Sequence, residues 1–170
     1  PAKVGGPLLD LHVHDAHLIR LLFGMPVSLS SQGRMRGEVV EFAHTAFRFP
    51  DASLVVSSES GVIRQQGRTF THGFEIHLEK ATLQYDFGVF EGKPRLIMPL
   101  TICDETGRVL QPALGDGDPI HAFEGEIAEI VRSLDSGKPS ALLSGDLARD
   151  AVRICQKRTE SVLSGRPGLF

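Results

Sequence analysis

The chain has 170 residues, of which 41% are hydrophobic and 23% charged, a composition typical of one globular domain with a sizeable core. Its net charge of −3, without a clustered basic stretch, argues against nucleic-acid binding. No run approaches the roughly 20 apolar residues of a membrane helix, and Pro1-Ala2-Lys3-Val4 does not resemble a secretion signal. Cys103 and Cys155 stand far apart in apolar surroundings, so we expect two reduced core thiols and a cytoplasmic location.

Three helices are predicted from capping residues and from the helical spacing of apolar residues. The first runs from Pro7 to Phe23, because Pro suits the first helical position and Gly24 provides a stop. The second begins at Asp118-Pro119 and stops at Gly137. The third begins near Ser144 and closes at Gly165.

Strand-like segments fill the sequence between the first and second helices. They are joined by short turn-forming links, which favours hairpins and therefore antiparallel pairing. The predicted strands are Val27–Met35, Phe42–Phe49, Ser53–Ser58, Phe74–Leu78, Thr82–Phe87, Arg95–Cys103 and Arg108–Gln111. The order of one helix, a run of strands and two helices predicts a single α+β domain over residues 1–170. We expect a predominantly antiparallel open sheet with helices packed on one face.

The first predicted helix carries one narrow polar stripe. On a helical wheel, Asp10, His14 and His17 share this stripe, whereas most other positions are apolar, as expected for a buried helix. Burying these groups costs free energy unless each finds a partner or faces a wet cleft. A carboxylate beside an imidazole also favours the charged ring and tunes it for proton transfer near neutrality. The alternative is a satisfied core Asp–His pair that anchors the helix, and spacing alone leaves both interpretations open.

The same segment also matches a metal-binding motif. Asp10-Leu11-His12-Val13-His14 matches the Asp-x-His-x-His opening of metal-dependent amidohydrolases, whose two His lie at the end of a strand and face one ion. On the predicted helix, His12 and His14 point about 200° apart. The chain is also shorter than the roughly 250 residues of a (β/α)₈ barrel. No metal site is therefore predicted.

Motifs for nucleotide binding or nucleophilic catalysis are not found in the sequence. No Gly-x-Gly-x-x-Gly turn follows a predicted strand, and there is neither a P-loop nor a serine nucleophile elbow. Gly115-Asp116-Gly117-Asp118 is glycine-rich, but its charge would repel a phosphate. Arg20, beyond the polar stripe, is interpreted as an ion-pair partner at the side of the helix.

The opening segment resembles one protein family closely. GGPLLDLHVHD at residues 5–15, continuing to LIRLLFG at 18–24, is similar to the start of the C-terminal domain of glucose–fructose oxidoreductase / inositol dehydrogenase (Gfo/Idh/MocA) proteins. The signature there is Gly-Gly, a short gap, Leu-Leu-Asp, three residues and His-Asp. The later order is similar too: strands, an acidic helix with Phe123, and a last helix with Glu160-Ser161 and Gly165.

The resemblance implies a function and a set of site residues. Family members join an N-terminal Rossmann domain to this sheet domain and carry substrate between the two. By resemblance, His14 is the acid/base that exchanges a proton with the substrate hydroxyl, Asp10 orients it, and His17 contacts substrate hydroxyls. NAD or NADP would be bound mainly by the N-terminal domain, and no cofactor is expected in this chain. The substrate would be a sugar, cyclitol or related polyol; the alternative is a non-enzymatic binding or scaffold module that retains the fold.

Two further expectations concern the rest of the protein. The family's catalytic Lys belongs to a Glu-Lys-Pro motif of the nucleotide domain, and Gly92-Lys93-Pro94 is not its counterpart. The chain begins without Met and enters a helix signal within a few residues, as though a preceding segment were missing.

Apolar side chains fall on both faces of the predicted sheet in two runs, Leu54-Val55-Val56 and Leu96-Ile97-Met98. We therefore expect a homodimer, or a tetramer of the intact protein, through the open sheet face.

Overall fold

The structure is a computed structural model that describes residues 6–114 and 119–170. The chain divides into two compact units, the first formed by Pro1–Val62 with Ala122–Phe170 and the second by Ile63–His121. The helices are α1 (Pro7–Asp10), α2 (Val13–Phe23), α3 (Pro119–Ser136) and α4 (Gly145–Ser164). The strands are β1 (Ser28–Arg36), β2 (Val39–Arg48), β3 (Val55–Gly61), β4 (Arg68–His77), β5 (Ala81–Phe90), β6 (Lys93–Asp104), β7 (Val109–Leu110) and β8 (Gly168–Leu169).

The strands form two antiparallel sheets. The first has the order β3-β2-β1-β8 and the second the order β4-β5-β6-β7, so consecutive strands pair through hairpins within each sheet. The predicted α+β class with antiparallel pairing is confirmed. The strands are nevertheless divided between two four-stranded sheets, where the sequence had suggested one.

Helices α2 and α4 pack on one face of the first sheet. Ile19 of α2, Leu29 of β1, Phe47 of β2 and Ile154 of α4 meet in one buried cluster. Each such side chain stabilises the fold by roughly 1.5–3 kcal/mol. Strand β2 shows why only one face of the sheet is buried, because its residues from Glu41 to Arg48 alternate between buried and exposed positions.

The other face of the first sheet is mostly polar. The exposed alternating positions include the polar residues Ser30, Gln32, His44, Arg48, Ser57 and Glu59 and the apolar residues Phe42, Ala46 and Val55. Val55, one of the apolar residues expected on an open sheet face, is 90% exposed here and pairs in register with Arg48. A polar outer face needs no covering element, as is common for antiparallel sheets.

Both C-terminal helices have the predicted ends. The hydroxyl of Ser144 caps α4 by accepting a hydrogen bond from the Leu147 backbone N–H at 3.2 Å, and Gly165 closes the helix in the left-handed region at φ 66°. Helix α3 ends at Ser136, before Gly137. Its predicted N-cap, Asp118, lies outside the described residues.

Close backbone approach explains one glycine in β1. A Cβ atom added to Gly33 would lie 2.4 Å from the Phe42 carbonyl oxygen of β2 and 3.1 Å from the Val162 side chain of α4. The absence of a side chain at Gly33 therefore lets α4 and the β1–β2 ladder approach each other.

The two cysteines differ in environment. Cys155 is buried, as predicted, and its burial raises the thiol pKa to about 11. Cys103 is exposed, so the expectation of a second core thiol is wrong. Among the described helices, none combines the length and the apolar character needed to cross a lipid bilayer.

The second sheet carries a row of aromatic side chains on one face. Phe70, His72 and Phe74 alternate along β4, and in register His72 lies opposite Phe87 and Phe74 opposite Tyr85. Ring centroids are 5.1 Å apart for His72 and Phe87, and 5.7 Å for the stacked pair of Phe74 and Tyr85. Exposed Leu96 on β6 pairs with Phe87 and extends the apolar face.

Candidate active site

The segment with the polar stripe is two helices joined by a sharp turn. Helix α1 ends at Asp10, where the Leu11 N–H still bonds to the Pro7 carbonyl at 3.1 Å. Helix α2 restarts after His12, its N-cap residue, whose carbonyl accepts from the Ala16 N–H at 3.0 Å. The predicted continuous helix from Pro7 to Phe23 is therefore wrong at Leu11-His12, and a single wheel does not relate Asp10 to His14.

Burial of this segment is one-sided. Leu8, Ala16 and Ile19 face the core, whereas Leu11 and Leu22 are 47% and 50% exposed. The expectation of a helix buried all round is therefore wrong. The leucines counted as core residues on the wheel extend into solvent instead.

The structure places Asp10 and His14 on either side of the turn. Asp10 is the last residue of α1 and His14 lies in the first turn of α2, and both side chains are exposed. Neither makes a side-chain hydrogen bond or an ion pair with any residue that the structure describes. The alternative of a satisfied core Asp–His pair does not hold, since neither residue is buried. Their carboxylate and imidazole remain available to a ligand.

His17, the third residue of the stripe, is half-buried in α2. Its Nε2 atom is shielded from solvent and has no hydrogen-bond partner among the described residues. A buried imidazole nitrogen normally has a partner. His17 Nε2 is thus a buried polar atom that no described residue satisfies.

A different carboxylate–imidazole pair is formed within this segment. His12 Nδ1 lies 2.9 Å from Asp15 Oδ2, joining the N-cap of α2 to its third residue. The contact joins the two side chains, and the His12 side chain makes no capping hydrogen bond to the backbone. A helix predicted to begin at Pro7 places His12 in its interior, so this pair was not predicted from the sequence.

An ion pair fixes α2 against α4. Arg20 Nε donates to Asp150 Oδ2 at 3.0 Å, and Arg149 Nη2 donates to Asp150 Oδ1 at 3.0 Å. Burial raises the pKa of Asp150, but the hydrogen bonds and charges of the two arginines outweigh it and leave that pKa below its ordinary value. The predicted ion-pair role of Arg20 is confirmed, and this pair holds the helix that carries His14 and His17.

The described side chains are not arranged to hold a metal ion. Within residues 6–114 and 119–170, no three His, Cys, Asp or Glu side chains are grouped so that they could hold a metal ion. The acidic glycine-rich stretch at residues 115–118 lies outside the described residues.

Sheet topology and the two-helix opening define a class: an α+β domain with two antiparallel sheets and helices packed on the first of them. Residues 1–84 match the family described as the GFO/IDH/MocA C-terminal domain. The resemblance drawn from the opening segment is confirmed for these residues, about half of the chain, which are similar to the C-terminal domain of Gfo/Idh/MocA proteins. No curated protein sequence is significantly similar to the chain.

Solved structures share the fold over nearly the whole chain. An oxidoreductase from Agrobacterium radiobacter in complex with NAD+, L-tartaric acid and magnesium matches 98% of this chain and 51% of its own, with 14% identity and a TM-score of 0.64. Myo-inositol 2-dehydrogenase from Lactobacillus plantarum matches 99% and 49%, with 18% identity and a TM-score of 0.59. Levoglucosan dehydrogenase in complex with NADH and levoglucosan matches 96% and 50%, with 19% identity and a TM-score of 0.64. The chain thus spans about half the length of these structures.

Proposed function

We propose that this chain is the substrate-binding and assembly domain of an NAD(P)-dependent oxidoreductase that acts on a sugar, cyclitol or related polyol. The observation that carries the proposal is the pair of unpartnered, exposed side chains Asp10 and His14, inside the segment that matches the family. Myo-inositol and levoglucosan dehydrogenases among the structural relatives support the substrate class. The isolated chain is proposed to be inactive, because the hydride acceptor, NAD or NADP, is bound mainly by a separate nucleotide-binding domain.

In this proposal the chain's own residues handle the proton and the hydroxyl groups. Oxidation of a CH–OH group releases the hydroxyl proton, which His14 accepts as general base and returns in the reverse direction. Asp10 and His14 do not hydrogen-bond to each other in this structure, and Asp10 would orient the imidazole once substrate is bound. His17, further along α2, is proposed to contact a neighbouring hydroxyl of the substrate. The Arg20–Asp150 ion pair keeps α2 in position while the proton moves.

The test of the site uses the intact protein with its nucleotide-binding domain and a panel of polyols. His14→Ala is expected to lower turnover by roughly 10²–10⁴-fold, the usual contribution of a positioned acid/base, and Asp10→Asn is expected to impair it without unfolding the protein. His44→Ala is the matched control, since His44 is an exposed histidine on the outer face of the first sheet. Equal polyol turnover by His14→Ala and His44→Ala would refute the acid/base role of His14, whereas an intact parent protein that turns over no polyol would favour the scaffold alternative.

A separate test concerns the cofactor. The 170-residue chain should show no saturable change in NADH fluorescence at micromolar concentration, because it has no glycine turn to hold the pyrophosphate. The intact protein should bind NADH or NADPH in the same titration. Saturable binding to the isolated chain would contradict the proposal that the cofactor is bound mainly by the nucleotide-binding domain.

We also propose that the domain assembles as a homodimer, which pairs further to a tetramer in the intact protein. Support comes from the aromatic face of the second sheet. Phe70 is 45% exposed there, and its neighbours along the face carry no carboxylate, ammonium or guanidinium group: His72, Phe74, Tyr85 and Phe87. An uncharged face does not repel its own copy, and a two-fold axis would bury both patches together. The free cysteines are consistent with a cytoplasmic site of action.

Light scattering tests the assembly. The chain is expected to scatter as a dimer, and Phe70→Asp with Phe74→Asp should convert it to the 18.5 kDa monomer. The control pair Ser30→Asp with Ser57→Asp changes the polar outer face of the first sheet and should leave the dimer intact. A monomeric parent chain would refute the proposal.

A further inference from the structure

The least expected buried group in the first unit is a guanidinium. Arg158 of α4 is 0% exposed and lies against β2 and β3. Its Nε donates to Thr45 Oγ1 at 2.9 Å and its Nη2 donates to Ser60 Oγ. Both acceptors are neutral hydroxyls, so these bonds satisfy donors without balancing the positive charge.

No carboxylate among the described residues contacts Arg158. The acidic groups that act on it through space are the Cys155 thiol and the Asp15 carboxylate, and desolvation outweighs both, so that its pKa is lowered. Buried charges in proteins are paired or hydrogen-bonded throughout, because an isolated ion in a low-dielectric interior is strongly disfavoured. Arg158 is therefore a buried cation that no carboxylate among the described residues contacts directly.

Two buried donors remain unpartnered at this point. They are Arg158 Nη1 and the hydroxyl of Ser58, and neither has a hydrogen-bond partner among the described residues. Ser58 pairs in register with Thr45 across β2 and β3, and it precedes Ser60 by two residues on the same face of β3. Facing side chains on paired strands lie about 4.5–5.5 Å apart. The guanidinium that binds Thr45 and Ser60 is thus next to Ser58.

We propose that Arg158 Nη1 and Ser58 Oγ together bind a small monovalent anion, of which chloride is the probe. Both groups donate, as an anion requires, and a single negative charge balances the guanidinium. A water molecule would satisfy the same donors but would leave the charge uncompensated. The site goes beyond the proposed oxidoreductase function and does not depend on it.

The experiment measures the thermal midpoint of the 170-residue chain at constant ionic strength, with sodium chloride replacing sodium gluconate. Samples are equilibrated overnight, because a fully buried site exchanges only when the protein opens. If 100 mM chloride is about ten times its dissociation constant, Tm should rise by about 3–6 °C. Ser58→Ala should reduce the rise, whereas Ser57→Ala, on the opposite face of β3, should keep it.

Arg158→Met should abolish the chloride response, and the two serine variants decide the question if that variant does not fold. Bromide soaked into a crystal should give an anomalous peak in hydrogen-bond contact with Arg158 Nη1. Equal midpoints in chloride and gluconate would overturn the proposal in favour of a bound water. A response that survives Ser58→Ala unchanged, or a bromide peak elsewhere, would assign the ion to an adventitious surface position and overturn it as well.

Discussion

Replacing Asp150 by Asn tests whether the ion pair between α2 and α4 holds the candidate site in place. The substitution preserves side-chain shape and removes the charge that binds Arg20 at 3.0 Å and Arg149 at 3.0 Å. The Asp150 side chain is 4% exposed, whereas those of Arg20 and Arg149 are 26% and 59% exposed. The arginines can therefore regain water after the substitution, and the cost is smaller than that of stranding a buried ion.

The magnitude follows from those contacts. A hydrogen bond to a charged group contributes about 1.5–3 kcal/mol, and the exposed Arg149 contributes little beyond this. We expect Asp150→Asn to lower the free energy of unfolding by about 2–3 kcal/mol, and Tm by about 4–12 °C for a chain of this size. Asp146→Asn, which removes an exposed ion pair to the same Arg149, should cost no more than about 0.5 kcal/mol.

The pH dependence gives the sharper assay. Because the folded-state pKa of Asp150 is lowered, its contribution is present above the unfolded pKa of about 3.9 and is lost as the pH falls through the folded pKa. Urea unfolding of the parent and Asp150→Asn chains at pH 7, 5 and 3 should show a constant difference at the first two and a smaller one at the third. Equal stability at pH 7, or a difference unchanged at pH 3, would refute the assignment of a charged anchor.

Two other predictions concern packing and thiol chemistry. Gly33→Ala should destabilise the fold by about 1–3 kcal/mol in urea unfolding, because its Cβ would lie 2.4 Å from the Phe42 carbonyl oxygen. The control Gly125→Ala, in open space on α3, should be neutral or stabilising. Equal effects of the two substitutions would contradict the packing argument. With a thiol-specific reagent at pH 8, exposed Cys103 should react at once and Cys155 only on unfolding, since burial raises the Cys155 pKa to about 11. Two equally fast thiols would mean that Cys155 is accessible.

Local signals were sufficient for the C-terminal helices and for most strands. Ser144 and Gly165 bound α4 because a hydroxyl cap and a left-handed glycine act within one turn of the chain. Hairpin links likewise predicted antiparallel pairs, because each strand pairs mainly with its neighbour in sequence. Two-residue β8 was missed, because a pairing of Gly168-Leu169 with β1 depends on distant sequence.

The candidate site was predicted in its residues but not in its geometry. The turn at Leu11-His12 carries no Gly or Pro, so the apolar spacing seemed to continue through it. Consequently the pair of His12 with Asp15 was not foreseen, although both residues stand in the same motif. The contacts of Arg158 could not be foreseen either, since they join α4 to Thr45, 113 residues earlier, and no local pattern encodes such a distance.

The strict alternation along β2 constrains how this chain can change over evolutionary time. Substitutions at Phe42, His44, Ala46 and Arg48 meet solvent, whereas those at Ala43, Thr45 and Phe47 disturb the packed interior. Because side chains alternate between the two faces of the sheet, inserting a single codon before Phe47 would exchange the buried and exposed positions beyond the insertion and turn Phe47 outward. Selection should therefore tolerate drift at every second codon of this strand while removing frame-preserving insertions or deletions of one residue.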